Sequence, residues 1–371
     1  MKKQMKFVLI SPKNRTVYNF RGDLIKEIIA QGYEVVVIGP DKTDVDKIEK
    51  LGARFKEIPM IKTGTSVSAD LRYCEELTRF LKDEKPDVTL GYTVKPVVYG
   101  AIAAKRAGVK NINCLITGGG YTFISRSVKA RILGLIVRNL YRIGLSSATH
   151  VIFQNKDDLD EFCAKHLVDV KKCSYVNGSG VNTEQFKPVP LPSEPTFFML
   201  SRLLKSKGVG EYLEAARIVK NQYPYAKFKL LGKYEYVMQD AMDKNYVESF
   251  IKDGTVERFE ETYDVRPYYE MCSVYVLPSY REGTPRTVLE AMAMGRPIIT
   301  TDTQGCRETV LDGVNGFLVP VKNSNTIADK MIWFLEHPDA IQEMGEQSYQ
   351  YALNKFDVNK VNADMIHIMS L

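Results

Sequence analysis

The sequence predicts an α/β protein built from two doubly wound domains. Three observations carry this expectation. Apolar runs of four to six residues, rich in Val and Ile, alternate with longer amphipathic stretches, as buried parallel strands alternate with the helices that cover them. A segment with four prolines in nine residues, Lys187 to Pro195, interrupts this alternation near mid-chain, and the alternation restarts after it. A chain of 371 residues is also longer than one core usually organises.

Taken in order, Lys6 to Ile10 reads as a first buried strand and Gly22 to Gln31 as a helix closed by Gly32. Strands follow at Glu34 to Gly39, Asp87 to Thr93 and Val151 to Gln154. Lys187 to Pro195 is too rich in proline for a helix or an inner strand and reads as a stiff linker. Beyond it, strands are expected at Thr196 to Ser201, Ala226 to Leu231, Ser273 to Leu277 and Pro297 to Thr301. The expected domains are 1–187 and 188–371, both Rossmann-like, with a hinge near residue 190 and a ligand cleft between them.

Composition narrows the class. Apolar residues make up 44% and charged residues 26%, as in soluble globular proteins. The longest apolar runs are short, such as Val35 to Ile38, where crossing a bilayer takes roughly 20 residues. The basic start, Met1 to Lys6, is followed only by Phe7 to Ile10, less than the roughly 7–15 apolar residues of an export signal. Six cysteines show no C-x-x-C and no metal-like spacing with the four histidines. They read as packing residues in a reducing compartment, so a cytoplasmic location is expected. No G-x-G-x-x-G follows the first strand, which excludes a dinucleotide dehydrogenase.

Charge is divided unevenly. Residues 1–190 hold 31 Lys and Arg against 20 Asp and Glu, whereas 191–371 hold 20 against 25. From Gly91 to Lys156 there are ten basic residues and no acidic one, which calls for an anionic partner. The stretch carries bulky aliphatics rather than stacking aromatics and no known nucleic-acid module, so no nucleic acid is expected.

The segment Val276 to Pro297 carries the chemistry. It reads strand, tight turn, helix: Gly283 and Pro285 make the turn, Thr284 can cap the helix, and Gly295 with Pro297 ends it. A helix N-terminus at the carboxyl end of a strand offers N–H groups and a positive dipole end to an anion such as a diphosphate. Glu282 lies at the turn and Glu290 about two turns deeper, and carboxylates suit the vicinal hydroxyls of a sugar or ribose.

This Glu-x7-Glu segment in its setting resembles the signature of the retaining glycosyltransferases of family four, which have the GT-B fold. The resemblance implies that Glu282 contacts the donor sugar and Glu290 holds the nucleotide ribose. The intervening Gly283, Thr284, Pro285, Arg286, Thr287, Val288 and Leu289 would then belong to the donor site. Phe197 to Gly208 is similar to the family's strand and basic turn, so Arg202 and Lys207 would clamp the diphosphate, while Lys205 reads as solvated. Gly305 to Val319 also resembles the family. The resemblance is strong over about 196–320 and weaker before. In relatives the last helix can cross back onto the first domain; the matching stretch here is about 357–371.

The N-terminal domain departs from the family pattern. Ser11-Pro12-Lys13-Asn14 stands where many relatives have Gly-Gly, and Ile116 to Phe123 has glycines and no His. The block from Tyr92 to Phe123 resembles a subgroup acting on undecaprenyl-diphosphate-linked sugars, often with UDP-N-acetylhexosamine donors. Gly118, Gly119 and Gly120 read either as a site of close ligand approach or as a plain tight turn. Ser125 to Leu145 sets Arg126, Lys129, Arg131, Arg138 and Arg142 among aliphatics at helical spacing. This is either an amphipathic helix on an anionic bilayer or a core-packed helix with a basic outer face. With Lys95, these cations are the expected membrane and acceptor contacts. Asp44-Val45-Asp46 matches a metal-binding D-x-D but lies among lysines and reads as a solvated helix.

The resulting expectation is a hexosyltransferase, peripheral on the inner face of the membrane. It would move a hexose, an N-acetylhexosamine by the resemblance, from a UDP-sugar to a polyprenyl-diphosphate-linked acceptor with retention and no metal or other cofactor. The competing classes are a UDP-sugar epimerase of the same fold and a non-catalytic nucleotide-sugar-binding partner.

Overall fold

The computed structural model describes residues 4–61, 66–118, 128–236 and 238–371, without the side chains of 128–133. It divides into two compact units: residues 1–179 with 358–371, and residues 180–357.

The first unit is a seven-stranded parallel sheet in the order β3-β2-β1-β4-β5-β6-β7. Its strands are β1 (Lys6–Ile10), β2 (Glu34–Gly39), β3 (Arg54–Glu57), β4 (Val88–Tyr92), β5 (Asn111–Ile116), β6 (His150–Phe153) and β7 (Cys173–Tyr175). Central β1 pairs with β2 on one side and β4 on the other, Phe7 matching both Val35 and Val88. The near-continuous Val, Leu and Ile of these strands are explained by burial on both faces. One face is covered by α1 (Asn14–Ala30), α2 (Val45–Glu49) and the last helix of the chain, Val358–Met369. The other carries α3 (Val67–Glu84), α4 (Val94–Arg106), α5 (Val128–Ser146) and α6 (Lys156–Ala164).

α1 starts eight residues before the Gly22 expected from pattern, because Val17 already begins the buried stripe continued by Leu24, Ile25 and Ile28. α5 lies close on α4 because Gly144 has no side chain: a Cβ there would sit 2.7 Å from Val98 Cα. The last helix buries Val361, Met365 and Met369 in the first unit, and Asn111 Nδ2 donates to Met369 O at 2.6 Å.

The second unit is a six-stranded parallel sheet, β10-β9-β8-β11-β12-β13. It contains β8 (Thr196–Leu200), α7 (Val209–Gln222), β9 (Lys227–Leu231), α8 (Lys244–Lys252), β10 (Glu257–Phe259), α9 (Arg266–Glu270), β11 (Val274–Leu277), α10 (Arg286–Ala293), β12 (Ile298–Thr301), β13 (Gly316–Val319), α11 (Ser324–Glu336) and α12 (Pro338–Tyr351). The final helix, in the first unit, is α13.

The proline-rich segment plays a different part from the hinge its composition suggested. It lies wholly within the second unit, whose boundary falls at Ser179/Gly180. Buried Arg296 straps it down, donating to Val189 O at 3.0 Å, Pro190 O at 3.1 Å and Tyr269 O at 3.2 Å. The carbonyls of this segment lie outside helix and sheet, and one guanidinium satisfies two of them, those of Val189 and Pro190.

Candidate active site

In an open parallel sheet, ligands bind beyond the carboxyl ends of the strands where the strand order reverses. In the second unit that point lies between β8 and β11. β8 leads into Ser201-Arg202 and a 3-10 turn, Lys205–Lys207; β11 leads into the turn that ends at α10. The two loops are tied together. Tyr280 N donates to Ser206 O at 2.9 Å and Ser279 Oγ to the same oxygen at 3.2 Å. Ser206 Oγ donates to the Asp240 carboxylate, and Lys205 N donates to Asp240 O at 2.7 Å.

The Glu282 turn is held from below by the loop after β12. Glu282 N donates to Gln304 O at 3.1 Å. Gly305, at φ +76°, lies so close that a Cβ would stand 2.4 Å from the carbonyl oxygens of both Glu282 and Gly283. Only glycine combines that backbone conformation with that approach.

The predicted groups converge here. Lys207 Nζ donates to Glu282 Oε1, with side chains 22% and 14% exposed. Arg202 faces Glu235 at 3.9 Å. The N-cap of α10 is Pro285, whose side chain makes no cap, so the helix opens toward the turn. Thr284 stands one residue before that N-cap, and its hydroxyl donates to Gly283 O at 2.9 Å. Val288 and Leu289 are core residues, so only their backbone belongs to the turn side.

Glu290 is the fifth residue of α10, hence one turn deep rather than two, because the helix starts only at Arg286. Arg286 Nε donates to its Oε1 at 3.1 Å, and the Tyr269 hydroxyl stands 3.1 Å from its Oε2. Burial pushes the Glu290 carboxyl above its ordinary range, and Arg286 and Tyr269 pull it partly back. Arg286 also donates to Gly180 O at 2.5 Å. It thus ties Glu290 to the start of the second unit.

In the first unit the matching reversal lies between β1 and β4. Ser11 Oγ, Thr16 Oγ1 and Tyr92 OH form a neutral cluster there, with hydroxyl oxygens 2.7 and 2.8 Å apart. Lys95, in the first turn of α4, donates to Asp70 Oδ1 at 2.6 Å, and the Tyr99 hydroxyl donates to Asp70 Oδ2 at 3.2 Å. Gly118, at φ +127°, follows β5; Gly119, Gly120 and Arg126 lie outside the described residues, as do the side chains of Lys129 and Arg131.

α5 is both a layer helix and a surface. Tyr141, Gly144 and Leu145 face the core, whereas Leu135, Ile136 and Ile143 are 57%, 45% and 57% exposed. Arg142 closes the end of α6 by donating to Lys165 O and His166 O at 3.2 and 3.0 Å, and Arg138 Nε donates to Gly134 O. No helix among the described residues is long and apolar enough to cross a membrane. In the D-x-D, Asp44 pairs with Lys47 at 3.0 Å and accepts from Tyr18, and Asp46 pairs with Lys50.

Sequence reasoning missed Tyr269, Glu235 and the buttressing role of Gly305. Tyr269 precedes Glu290 by 21 positions, and no spacing rule links a short helix on one side of a strand to a carboxylate on the other.

Two parallel doubly wound units, the second with paired cations and carboxylates at its switch point, define the class as a GT-B glycosyltransferase. The family model described as glycosyl transferases group 1 matches residues 181–351, and that described as glycosyl transferase 4-like matches residues 7–155. The chain is a glycosyltransferase whose two halves match these two models. It is 27% identical to the N,N'-diacetylbacillosaminyl-diphospho-undecaprenol alpha-1,3-N-acetylgalactosaminyltransferase of Campylobacter jejuni, over 96% of each chain. It is also 27% identical to the UDP-Gal:alpha-D-GlcNAc-diphosphoundecaprenol alpha-1,3-galactosyltransferase of Escherichia coli, over 74% of this chain and 73% of that one. Among solved structures, Anabaena Alr3699/HepE in complex with UDP and glucose matches with a TM-score of 0.80 at 17% identity, over 99% of both chains. Sucrose-phosphate synthase of Thermosynechococcus elongatus matches at 0.82 and 17%, over 98% of both.

Proposed function

We propose that this glycosyltransferase moves a hexose, an N-acetylhexosamine, from a UDP-sugar to an undecaprenyl-diphosphate-linked sugar at the inner face of the membrane, with retention of configuration. The observation that carries the reading is the Lys207–Glu282 pair beside the α10 N-terminus and Glu290, in a chain that matches, nearly end to end, a relative named for a diphospho-undecaprenol acceptor.

In this reading the diphosphate lies at the α10 N-terminus between Arg202 and Lys207, and Glu290 accepts hydrogen bonds from the ribose. As the bond from the anomeric carbon to the β-phosphate oxygen breaks, charge grows on that oxygen, where Arg202, Lys207 and the helix dipole stabilise it. The acceptor hydroxyl forms the new bond on the same face, and its proton passes to the departing phosphate oxygen. Glu282 steers the donor sugar and holds Lys207 in place. The first unit takes the acceptor, and α5 with its exposed Leu135, Ile136 and Ile143 beside Arg138 and Arg142 rests on the lipid surface.

The test is label transfer from a panel of UDP-sugars to undecaprenyl-diphosphate-linked acceptors, with chelator present and Glu290→Ala as control. Chelator-resistant labelling of the lipid by one donor, lost in the control, supports the reading and names the sugar. UDP-sugar left untouched, or epimerised without transfer, refutes it in favour of a binding partner or an epimerase.

A further inference from the structure

We propose that Tyr269 is a positioning residue of the donor site: its hydroxyl, fixed by packing, aims the Glu290 carboxylate at the donor ribose. The inference rests on the reading of Glu290 as the ribose acceptor.

Tyr269 sits in α9 and is fully buried. Its ring is fixed on three sides: edge-on to Phe198 with centroids 5.6 Å apart, edge-on to Phe186 at 6.3 Å, and tilted against Tyr275 at 5.7 Å. Its carbonyl accepts from Arg296 Nε at 3.2 Å. The hydroxyl is therefore a fixed point. It lies 2.9 Å from Thr287 O and 3.1 Å from Glu290 Oε2.

A phenol has one proton and also accepts. When Glu290 is a carboxylate, the hydroxyl donates to Oε2. When Glu290 is protonated, the carboxyl donates to the phenol oxygen and the phenol turns its proton to Thr287 O. One arrangement of heavy atoms thus serves both states, and Arg286 on Oε1 fixes the other carboxylate oxygen. The ribose hydroxyls need the ionised form, whose oxygens both accept. Burial works against that form; Arg286 and Tyr269 work for it. The other titratable groups facing this cluster are buried Tyr275, which donates to Leu200 O at 3.2 Å, and buried Cys272, whose thiol burial pushes up to about 12. The Lys207–Glu282 pair lies at the turn. Tyr269 is thus the donor that favours ionisation without adding charge.

The test is the pH dependence of donor KM and kcat for the wild type, Tyr269→Phe and Glu290→Gln. Phenylalanine keeps the ring in its cluster and removes only the hydroxyl. Its donor KM should rise roughly tenfold on the acid side, the size of one hydrogen bond to a charged group, with the acid limb moved to higher pH and kcat little changed. Glu290→Gln should show a raised donor KM and no acid limb. A fluorinated tyrosine at position 269, a stronger donor of the same shape, should move the limb to lower pH and keeps the test open if Tyr269→Phe folds poorly. Raised KM in Glu290→Gln with an unshifted limb in both position-269 variants overturns this inference alone. Wild-type donor KM in Glu290→Gln overturns the reading of Glu290 as well.

Discussion

Each unit places a lysine beyond the strand reversal at its carboxyl edge, and each lysine is paired with an acid. Lys207 meets Glu282 across two loops, with both side chains partly open at 22% and 14%. Lys95 meets Asp70 at 2.6 Å with only 13% and 9% exposed, and Asp70 takes the Tyr99 hydroxyl as well. Burial and the Asp70 carboxylate push that Tyr99 phenol up to about 12. The first pair lies at the turn before the α10 N-terminus; the second joins α3 to α4 inside the layer. On the proposed reading, the same chemistry at matching points of one fold plan serves as a site in one unit and as a fastening in the other. What separates them is how much of each charge water and a ligand can still reach.

The largest effect should come from breaking the open pair. Lys207→Met is expected to lower kcat by about 10²–10³, the range for removing one donor aimed at developing charge, while the melting temperature hardly moves, since partly exposed pairs contribute about 0–1 kcal/mol. Steady-state kinetics with melting curves would check this. A stability loss with normal kcat would make Lys207 a fastening too and erase the contrast.

Next is the support beneath the open pair. Gly305→Ala pushes a methyl group against the Glu282 and Gly283 carbonyls. A displacement of about 1 Å at a reacting centre can cost about 10²-fold in rate, so kcat should fall by that order with the donor KM less affected. Equal kcat in variant and wild type would show that the turn is not held from the loop after β12.

The closed pair should respond in the opposite sense. Lys95→Met leaves Asp70 buried without its cation, which should destabilise the first unit by about 3 kcal/mol, the low end for a broken buried pair. Activity per folded molecule should be nearly unchanged. Denaturant melts beside specific activity would decide it; lost activity in a fully stable variant would return Lys95 to the acceptor site, where the sequence had placed it.

The contrast also marks how far the sequence could be read. The strands singled out, β1 and β8 among them, and the Glu282 turn were legible because they rest on local patterns, whereas short edge strands such as β3, β7 and β10 carry no apolar run and were not. The partner of Lys95 was not, because Asp70 is 25 positions away on another helix and nothing local marks it. The proline-rich segment was misread for a related reason. Its composition reports stiffness, but its place is set by Arg296, about a hundred residues on. Basic α5 was half legible: its spacing gave a helix, but not that Arg142 would close α6.

α5 offers a smaller test, of whether the first unit's surface rather than its lysine at the edge meets the lipid. Replacing Leu135, Ile136 and Ile143 together with Ser should weaken binding to anionic vesicles roughly tenfold or more, since each aliphatic side chain that inserts contributes on the order of 1 kcal/mol. The melting temperature should stay close to wild type because all three are exposed. Unchanged vesicle sedimentation would remove α5 from the membrane contact.

The smallest effect probes the cost of keeping Glu290 in the second unit. Burial lifts its carboxyl above the ordinary value of 4.5, and Arg286 and Tyr269 offset this only in part. Between the unfolded and folded values the folded chain binds more protons than the unfolded one, so stability falls as pH rises through that window and stays reduced above it. Glu290→Gln removes this term. The variant should melt higher than wild type at neutral pH, with the gap closing as pH falls to the unfolded value, while its use of donor is impaired. Adding UDP should raise the wild-type melting temperature more than the variant's. A variant less stable than wild type at neutral pH would mean that the ion pair with Arg286 outweighs the burial of the carboxylate. Glu290 would then be a fastening like Asp70, and the division between an open edge and a closed one would run inside the second unit rather than between the two.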